Sequence, residues 1–372
     1  MITIKEVLTK KESKLFTIFP HSLYENVAEY VPPLNLDEIE LFDPNKNPIF
    51  EYCEAIRFLA YKGDKIVGRV AGIINLDLNK NYNKAQVRFT RLDMIDDIEV
   101  TKALIKAVED WGKSKGMTEI IGPIGFSDLD RQGMLVEGYD KLNMFITIYN
   151  FPYYVTHMEK LGFIKDVDWI EKQIPWPNEV PDKVKRGAKI ARDRYGFKLL
   201  KLTKRKDIYK YMYDTFDMYN IAFKELYGFY PISRKVMDYY VKQFIQIVRL
   251  DLAFFVLDKD GEIAGFTVIM PSLANAVKKS KGKLLPFGLL RILRAVHKFD
   301  VIDFFFIAIH PKHQGKGVIA MMFEDGIKIG IKHGVKYAET GPELELNMAI
   351  QNQWKDFPHI NHKRRRCYIK PL

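Results

Sequence analysis

The order of turns and strands in the first half of the chain recurs in the second, and this repeat restricts the fold more than any other feature. Gly63-Asp64-Lys65-Ile66-Val67-Gly68 joins two strand-like runs, Ile56 to Tyr61 and Arg69 to Ile74, and Gly-Asp supplies the backbone angles of a tight hairpin turn. Asp260-Gly261-Glu262-Ile263-Ala264-Gly265 joins Leu252 to Leu257 and Phe266 to Met270 in the same way. A strand follows each hairpin, Gln86 to Leu92 and Asp303 to Ile309. A helix comes next. Val100, Ala103, Leu104, Ala107, Val108 and Trp111 fall on one helical stripe that Lys115-Gly116 ends, and the second helix is predicted over Val318 to Lys332. The helices lead into matching segments, Gly116-Met-Thr-Glu-Ile-Ile-Gly122-Pro123 and Gly334-Val-Lys-Tyr-Ala-Glu-Thr-Gly341-Pro342. Three echoes in one order predict two copies of a single unit: hairpin, strand, helix, strand.

Between the copies, Pro175-Trp-Pro-Asn-Glu-Val-Pro181 cannot continue regular structure, because three prolines fix the backbone and remove donors. The boundary is set there. The first copy is preceded by a predicted strand at Thr3 to Val7, a helix at Lys14 to Glu25 and a long loop rich in Pro and Asn at Val31 to Pro48. The second is preceded by helices at Lys183 to Tyr195, Asp207 to Tyr219 and Arg234 to Val248, with an extended run at Lys198 to Lys201. The 372 residues are 47% hydrophobic, enough for two buried cores and too apolar for a disordered chain. Cys53 and Cys367 alone make neither a disulfide scaffold nor a cysteine-rich zinc site, which fits a reducing cytoplasm. Met1 to Pro20 lacks the apolar stretch of a signal peptide, and Phe304 to Ile309 is far shorter than the ~20 residues of a membrane span. A cytoplasmic protein without a membrane span is expected.

The second copy carries His310-Pro311-Lys312-His313-Gln314-Gly315-Lys316-Gly317-Val318 between its strand and its helix. Proline ends the strand, two glycines let the backbone turn, and a helix starts at once, so successive N–H groups converge on one spot suited to a pyrophosphate. Lys316 adds a full charge and no carboxylate lies between His310 and Met322. At the same place the first copy has Asp93-Met94-Ile95-Asp96-Asp97-Ile98-Glu99, four carboxylates and no glycine. At ~4 Å and an effective dielectric of about 20, each would repel a phosphate charge by ~4 kcal/mol.

Gln314-Gly315-Lys316-Gly317 resembles the strand-to-helix loop of the GNAT superfamily of acyl-CoA N-acyltransferases, with Gln314 and Gly317 at two of its three fixed positions and Ile319 at the third. Met158-Glu-Lys-Leu-Gly-Phe163 resembles the family's late Tyr-Glu-Lys-Leu-Gly-Phe signature, and Asn347, Ile350 and Trp354 fall at the offsets of its Asn, Ala and Tyr. The resemblance covers both halves. It implies an α/β fold of two GNAT-like units, each a mixed, mostly antiparallel sheet flanked by helices. Residues 1–174 would form a unit lacking the phosphate-binding loop, 175–200 a linker with the first element of the second unit, and 201–372 an acyl-CoA-binding unit. It further implies that Gln314, Gly315, Lys316, Gly317 and Val318 hold the diphosphate of acetyl-CoA or another acyl-CoA, and that the backbone of Ile307 and Ile309 bonds its pantetheine.

The implied activity is transfer of an acyl group, acetyl or longer, to a small-molecule or peptide amine in a groove between the copies. Met158 and Trp354 stand where the family's proton-donating tyrosine belongs, and neither is an acid at neutral pH. Glu339, or else His310, is the candidate base, Glu225 the candidate contact to the amine, and Tyr368 the nearest remaining hydroxyl for the departing thiolate. Each also reads as a structural residue. The aromatic cluster from Tyr209 to Tyr230 reads as core. Two other readings stay open: an acyl-CoA sensor without turnover, and a tandem transferase that takes aminoacyl groups from charged tRNA, which the net charge of +11 would suit. The basic runs read as solvated faces in the absence of a nucleic-acid fold signature. No metal is assigned, since neither histidine pair has a neighbouring Cys or carboxylate.

Overall fold

The computed structural model describes residues 1–245 and 247–372. The first half runs β1 (Ile2–Glu6), α1 (Lys10–Leu23), α2 (Asn35–Leu41), β2 (Cys53–Lys62), β3 (Lys65–Asn75), α3 (Leu76–Asn81), β4 (Gln86–Met94), α4 (Ile98–Ser114), β5 (Glu119–Gly122), β6 (Met134–Glu137), α5 (Tyr153–Lys160) and β7 (Ile164–Pro175). The second runs α6 (Asp182–Tyr195), β8 (Lys198–Leu200), α7 (Arg205–Ala222), α8 (Arg234–Phe244), β9 (Ala253–Leu257), β10 (Ile263–Pro271), α9 (Ala274–Lys279), α10 (Gly288–His297), β11 (Val301–Ile309), α11 (Val318–His333), β12 (Tyr337–Thr340), β13 (Glu343–Leu344), α12 (Met348–Gln353) and β14 (Ile360–Pro371). The loop expected at Val31 to Pro48 contains α2, and the stretch between β10 and β11, for which the repeat gives no template, contains α9 and α10.

One continuous sheet carries both halves, in the order β1-β2-β3-β4-β5-β14-β7-β12-β11-β10-β9-β8. The order is a palindrome: each half contributes five strands to an arm, and the last long strand of each crosses into the partner arm. β14 pairs with β5, Tyr368 opposite Gly122, while β7 pairs with β12, Pro175 opposite Tyr337. The two exchanged strands pair with each other, antiparallel, from Ile360–Gln173 to Ile369–Ile164. Each half thus needs the other's last strand to close its sheet.

Helix α4 covers one face of the first arm, burying Val100, Leu104 and Val108 against Val70, Val87 and Phe89. Helix α11 does the same in the second, with Val318, Met322 and Ile327 against Phe254, Ala264 and Ile302. A third core is shared by the halves. It gathers Phe16, Ile49, Ala71 and Phe126 with Met218, Tyr219, Phe229 and Phe266, so the aromatic segment of α7 and its following loop packs as core between the copies.

Candidate active site

In each arm the third and fourth strands stay hydrogen-bonded along their length, but the fourth and fifth part. β4 pairs with β5 only over Gln86–Arg88, and β11 with β12 only over Val301–Phe304. Past those points each fourth strand turns one row of backbone groups toward a wedge-shaped gap. His310 donates its N–H to Ala264 O on β10, and strand alternation therefore aims the N–H groups of Ile309 and Ile307 toward the gap.

The two gaps end differently. In the first arm, Tyr153 Oη donates to Met94 O at 2.6 Å, and Met94 N–H donates to Tyr154 Oη at 3.0 Å. Tyr154 is bonded in turn to Tyr24 at 2.8 Å, and Tyr24 donates to Asp93. α5 thus plugs the gap with side chains. The N-terminus of α4 is capped from within, as Asp97 accepts from Glu99 N–H at 3.0 Å. In the second arm the residue before α11 is Gly317, in the left-handed region at φ 81°; no side chain caps the helix, and its first turn carries no acid. Gly315 is also left-handed, at φ 71°, and the space where its Cβ would stand is open.

Helix α6, which sequence reasoning did not connect to this loop, covers its far side. A Cβ on Gly317 would stand 2.5 Å from Gly187 O, and one on Gly187 would stand 2.9 Å from the Ala320 Cβ. Small residues on both helices permit that approach, and the outer side of α6 is basic, with Lys183, Arg186 and Lys189 exposed. Within the run from Gln314 to Val318, Gly315 therefore opens outward while Gly317 serves helix packing. Lys316 lies over the Tyr195 ring at 5.8 Å. His313 bonds Asp258 through Nε2 at 3.2 Å, tying the loop to the β9–β10 turn. His310 accepts from Lys312 N–H at 3.2 Å and so braces the loop as well.

Trp354, at the family's tyrosine offset, is buried against Phe304 and stacked on Phe323, and its indole donates to Glu343 at 2.7 Å. Burial raises Glu343 to about 7 against the pull of Lys172 and Trp354. The expected base Glu339 lies at the end of β12 in a closed ion cluster: Lys363 Nζ sits 3.0 Å from both Glu339 and Glu171, and Arg365 bonds Glu171. Glu339, Glu171 and His362 approach metal-ligand spacing, yet Lys363 already supplies the positive charge among them. Burial raises Glu339, and burial with the Lys363 charge lowers His362 to about 4. Tyr368 lies elsewhere. As part of β14 it is buried in the core of the first arm with Phe89 and Phe163, and burial raises it to about 12. Glu225 is exposed on the loop after α7, whose Tyr227 bonds Asp166 and packs edge-on to Trp169. The structure therefore brings together neither Glu339 with Tyr368 nor either with the glycine loop.

A carboxylate that sequence reasoning missed stands on the shared core. Asp128, from the segment after β5 of the first half, accepts a hydrogen bond from Tyr219 of α7, and among the described residues its Oδ1 has no partner. Burial raises Asp128 to about 6, against the Tyr219 bond. Tyr219 stacks on Phe223 at 4.4 Å and meets Phe306 of β11 edge-on at 6.2 Å, so Tyr219 links this acid to the strand that borders the open gap. Tyr240 of α8, bonded to Ser127 at 3.3 Å, packs in the same core.

This paired architecture has close counterparts among solved structures. A tandem GNAT protein from the clavulanic acid biosynthesis pathway superposes over 100% of this chain and 98% of its own, with a TM-score of 0.57 at 12% identity. The fold is that of a tandem GNAT protein. No family model matches the chain. Among curated proteins, the bacterial ceramide synthase of Caulobacter vibrioides is 27% identical over 389 aligned residues, covering 100% of this chain and 98% of the relative. Protein YghO of Escherichia coli is 27% identical as well, over 99% of this chain and 95% of its own. Among the described residues of this tandem GNAT fold, no helix is long and apolar enough to cross a membrane.

Proposed function

We propose that this chain is an N-acyltransferase that moves a fatty acyl group from acyl-CoA to a long-chain amine, using the second arm for the thioester and the core between the halves for the amine. The observation that carries the reading is the uncapped start of α11 behind Gly315, next to the unpaired end of β11, in a fold that pairs it with a fully plugged copy. The name of the Caulobacter relative favours a fatty chain over acetyl, since a ceramide is the amide of a fatty acid with a long-chain amino alcohol.

In this reading the outward N–H groups of Ile307 and Ile309 orient the donor and polarise its carbonyl. Asp128 takes the proton of the attacking amine, the C–N bond forms, the C–S bond breaks, and the thiolate is protonated by solvent. Asp128 is preferred to Glu339 because its Oδ1 is free to accept, whereas Glu339 is held by Lys363. Palmitoyl-CoA with sphinganine is expected to yield thiol and amide, and acetyl-CoA much less of either; absence of amide from every donor sinks the proposal. Gly315→Glu, which sets a carboxylate in the open corner, is expected to weaken CoA binding at least about tenfold relative to Gly315→Ala, which shares its left-handed backbone strain without the charge. Gly317→Glu would not discriminate, because it collides with Gly187 whatever the loop binds. A base must be ionised to act, so the rate should rise with pH through about 6 and Asp128→Asn should remove that limb.

A further inference from the structure

The insertion between β10 and β11 is unlike anything in the first half. From Ser272 to Phe299 it contains Lys278, Lys279, Lys281, Lys283, Arg291, Arg294 and Lys298 and no acidic residue. Its helix α10 buries Gly288, Ile292 and Val296, spaced by four, onto a core that includes Met270, Leu273 and Phe145. The opposite side is apolar too. Leu285 is 76% exposed, Phe287 61%, Leu290 63%, Leu289 45% and Leu293 39%. On a helical projection Leu289, Leu293 and Leu290 form one stripe that also carries exposed His297 near the end of the helix, with Arg294 and Arg291 along its edge, and Leu285-Pro286-Phe287 extends it as a protruding tip.

We propose that α10 and its preceding tip form an interfacial membrane anchor that lays this face on an anionic phospholipid bilayer. Leucines and a phenylalanine in one exposed row, flanked by arginine and lysine, match the apolar interior and charged headgroups of one leaflet. A ten-residue helix cannot span, and it suffices to lie in the headgroup plane. A second copy of this chain is a poor occupant, since two such faces would set Arg291 and Arg294 of one against Arg291 and Arg294 of the other, with no acidic residue on α10 to pair them. The core beneath α10 is packed against Phe305 of β11, which sets the anchor beside the strand that lines the open gap. The inference does not depend on the transfer reaction.

The test is flotation of the full chain with vesicles of phosphatidylglycerol mixed with phosphatidylcholine, and with phosphatidylcholine alone. Binding to the anionic vesicles, weakened by salt and by Arg291→Gln with Arg294→Gln, is expected. Phe287→Ser with Leu290→Ser, both on exposed sites, should lower it at least about tenfold without moving the melting temperature. Transfer to a short, water-soluble amine serves as the control for the reaction and should be unchanged in these variants. The proposal is overturned if the wild-type chain stays out of the anionic vesicles, if the serine variant floats equally well, or if the surface proves to join two chains, seen as a wild-type dimer that the variant loses.

Discussion

The corner after β4 and the corner after β11 have the same backbone plan and opposite chemistry. Both strands are nine residues long and part from their neighbours, and both lead into a helix over a short loop. In the first half every feature an anion would need is taken by the protein itself: Asp97 caps the helix, Tyr153 and Tyr154 bond the last residue of the strand, and Asp93 anchors them through Tyr24. In the second half glycines stand in place of those carboxylates, no side chain caps the helix, and Trp354 packs on the sheet without reaching Ile309 by any bond. One half-chain repeat thus yields a copy whose corner is filled by its own side chains and a copy whose corner is not. Self-satisfied polar groups add stability in the first corner, and the uncapped helix start of the second leaves N–H groups without a side-chain partner.

The strand exchange makes that division possible without two separate folding units, and it supplies the largest effect by which the comparison can be broken. Glu171 on β7 and Lys363 and Arg365 on β14 are fully buried where the exchanged strands meet. Burial alone would raise Glu171, but Arg365 and Lys363 outweigh it and hold it down to about 2. Its folded value is therefore depressed, so its contribution is present above the ordinary value of 4.5 and is lost as pH falls toward 2. Glu171→Gln leaves two buried cations short of their counter-charge and should cost ~3–5 kcal/mol. Urea unfolding followed by Trp fluorescence and by circular dichroism should show both arms lost in one transition. Two separate transitions would mean that the halves are stable apart and that the exchanged strands are incidental.

A middle-sized effect tests the plug. Tyr154→Phe removes the hydroxyl that accepts from Met94 N–H and bonds Tyr24, leaving buried polar groups unpaired at a cost of ~1–3 kcal/mol. Differential scanning calorimetry should register the loss while transfer activity per folded molecule stays as it was. A fall in activity at unchanged stability would assign the first arm a direct part in catalysis.

What could be read from the sequence was what is encoded locally. Hairpin turns, alternation and helical stripes disclosed the repeat, and the contrast between Gly315-Lys316-Gly317 and Asp96-Asp97 disclosed which helix start lacks a side-chain cap, because these depend on residues within a few positions of each other. Partners that meet across the chain were hidden. Asp128 and Tyr219 are separated by 91 positions, the exchange of β7 and β14 is a matter of which strands pair, and the cover of α6 over Gly317 shows in the sequence only as Gly187, Ala188 and Ala191 among basic residues. The position of Tyr368 near the end of the chain suggests the second copy, and strand exchange carries it to the first. The insertion at α9 and α10 has no counterpart in the first half by which the repeat could expose it, although its Leu-Leu-Arg-Ile-Leu-Arg pattern is plain in the sequence.

The smallest effect falls on Asp97, and it separates the two devices that close the first corner. Its carboxylate accepts from Glu99 N–H, and loss of such a cap costs ~1 kcal/mol, so Asp97→Ala should lower the melting temperature only slightly. The substitution makes the start of α4 resemble the start of α11 in lacking a side-chain cap. Tyr153 and Tyr154 still bond Met94, so calorimetric titration with CoA should show the same stoichiometry as the wild-type chain. A second CoA per chain would mean that the carboxylate alone kept the first arm empty and that the tyrosines serve stability only. Unchanged stoichiometry in Asp97→Ala, together with its gain in a variant that also carries Tyr153→Ala and Tyr154→Ala, would assign the exclusion to the plugged strand.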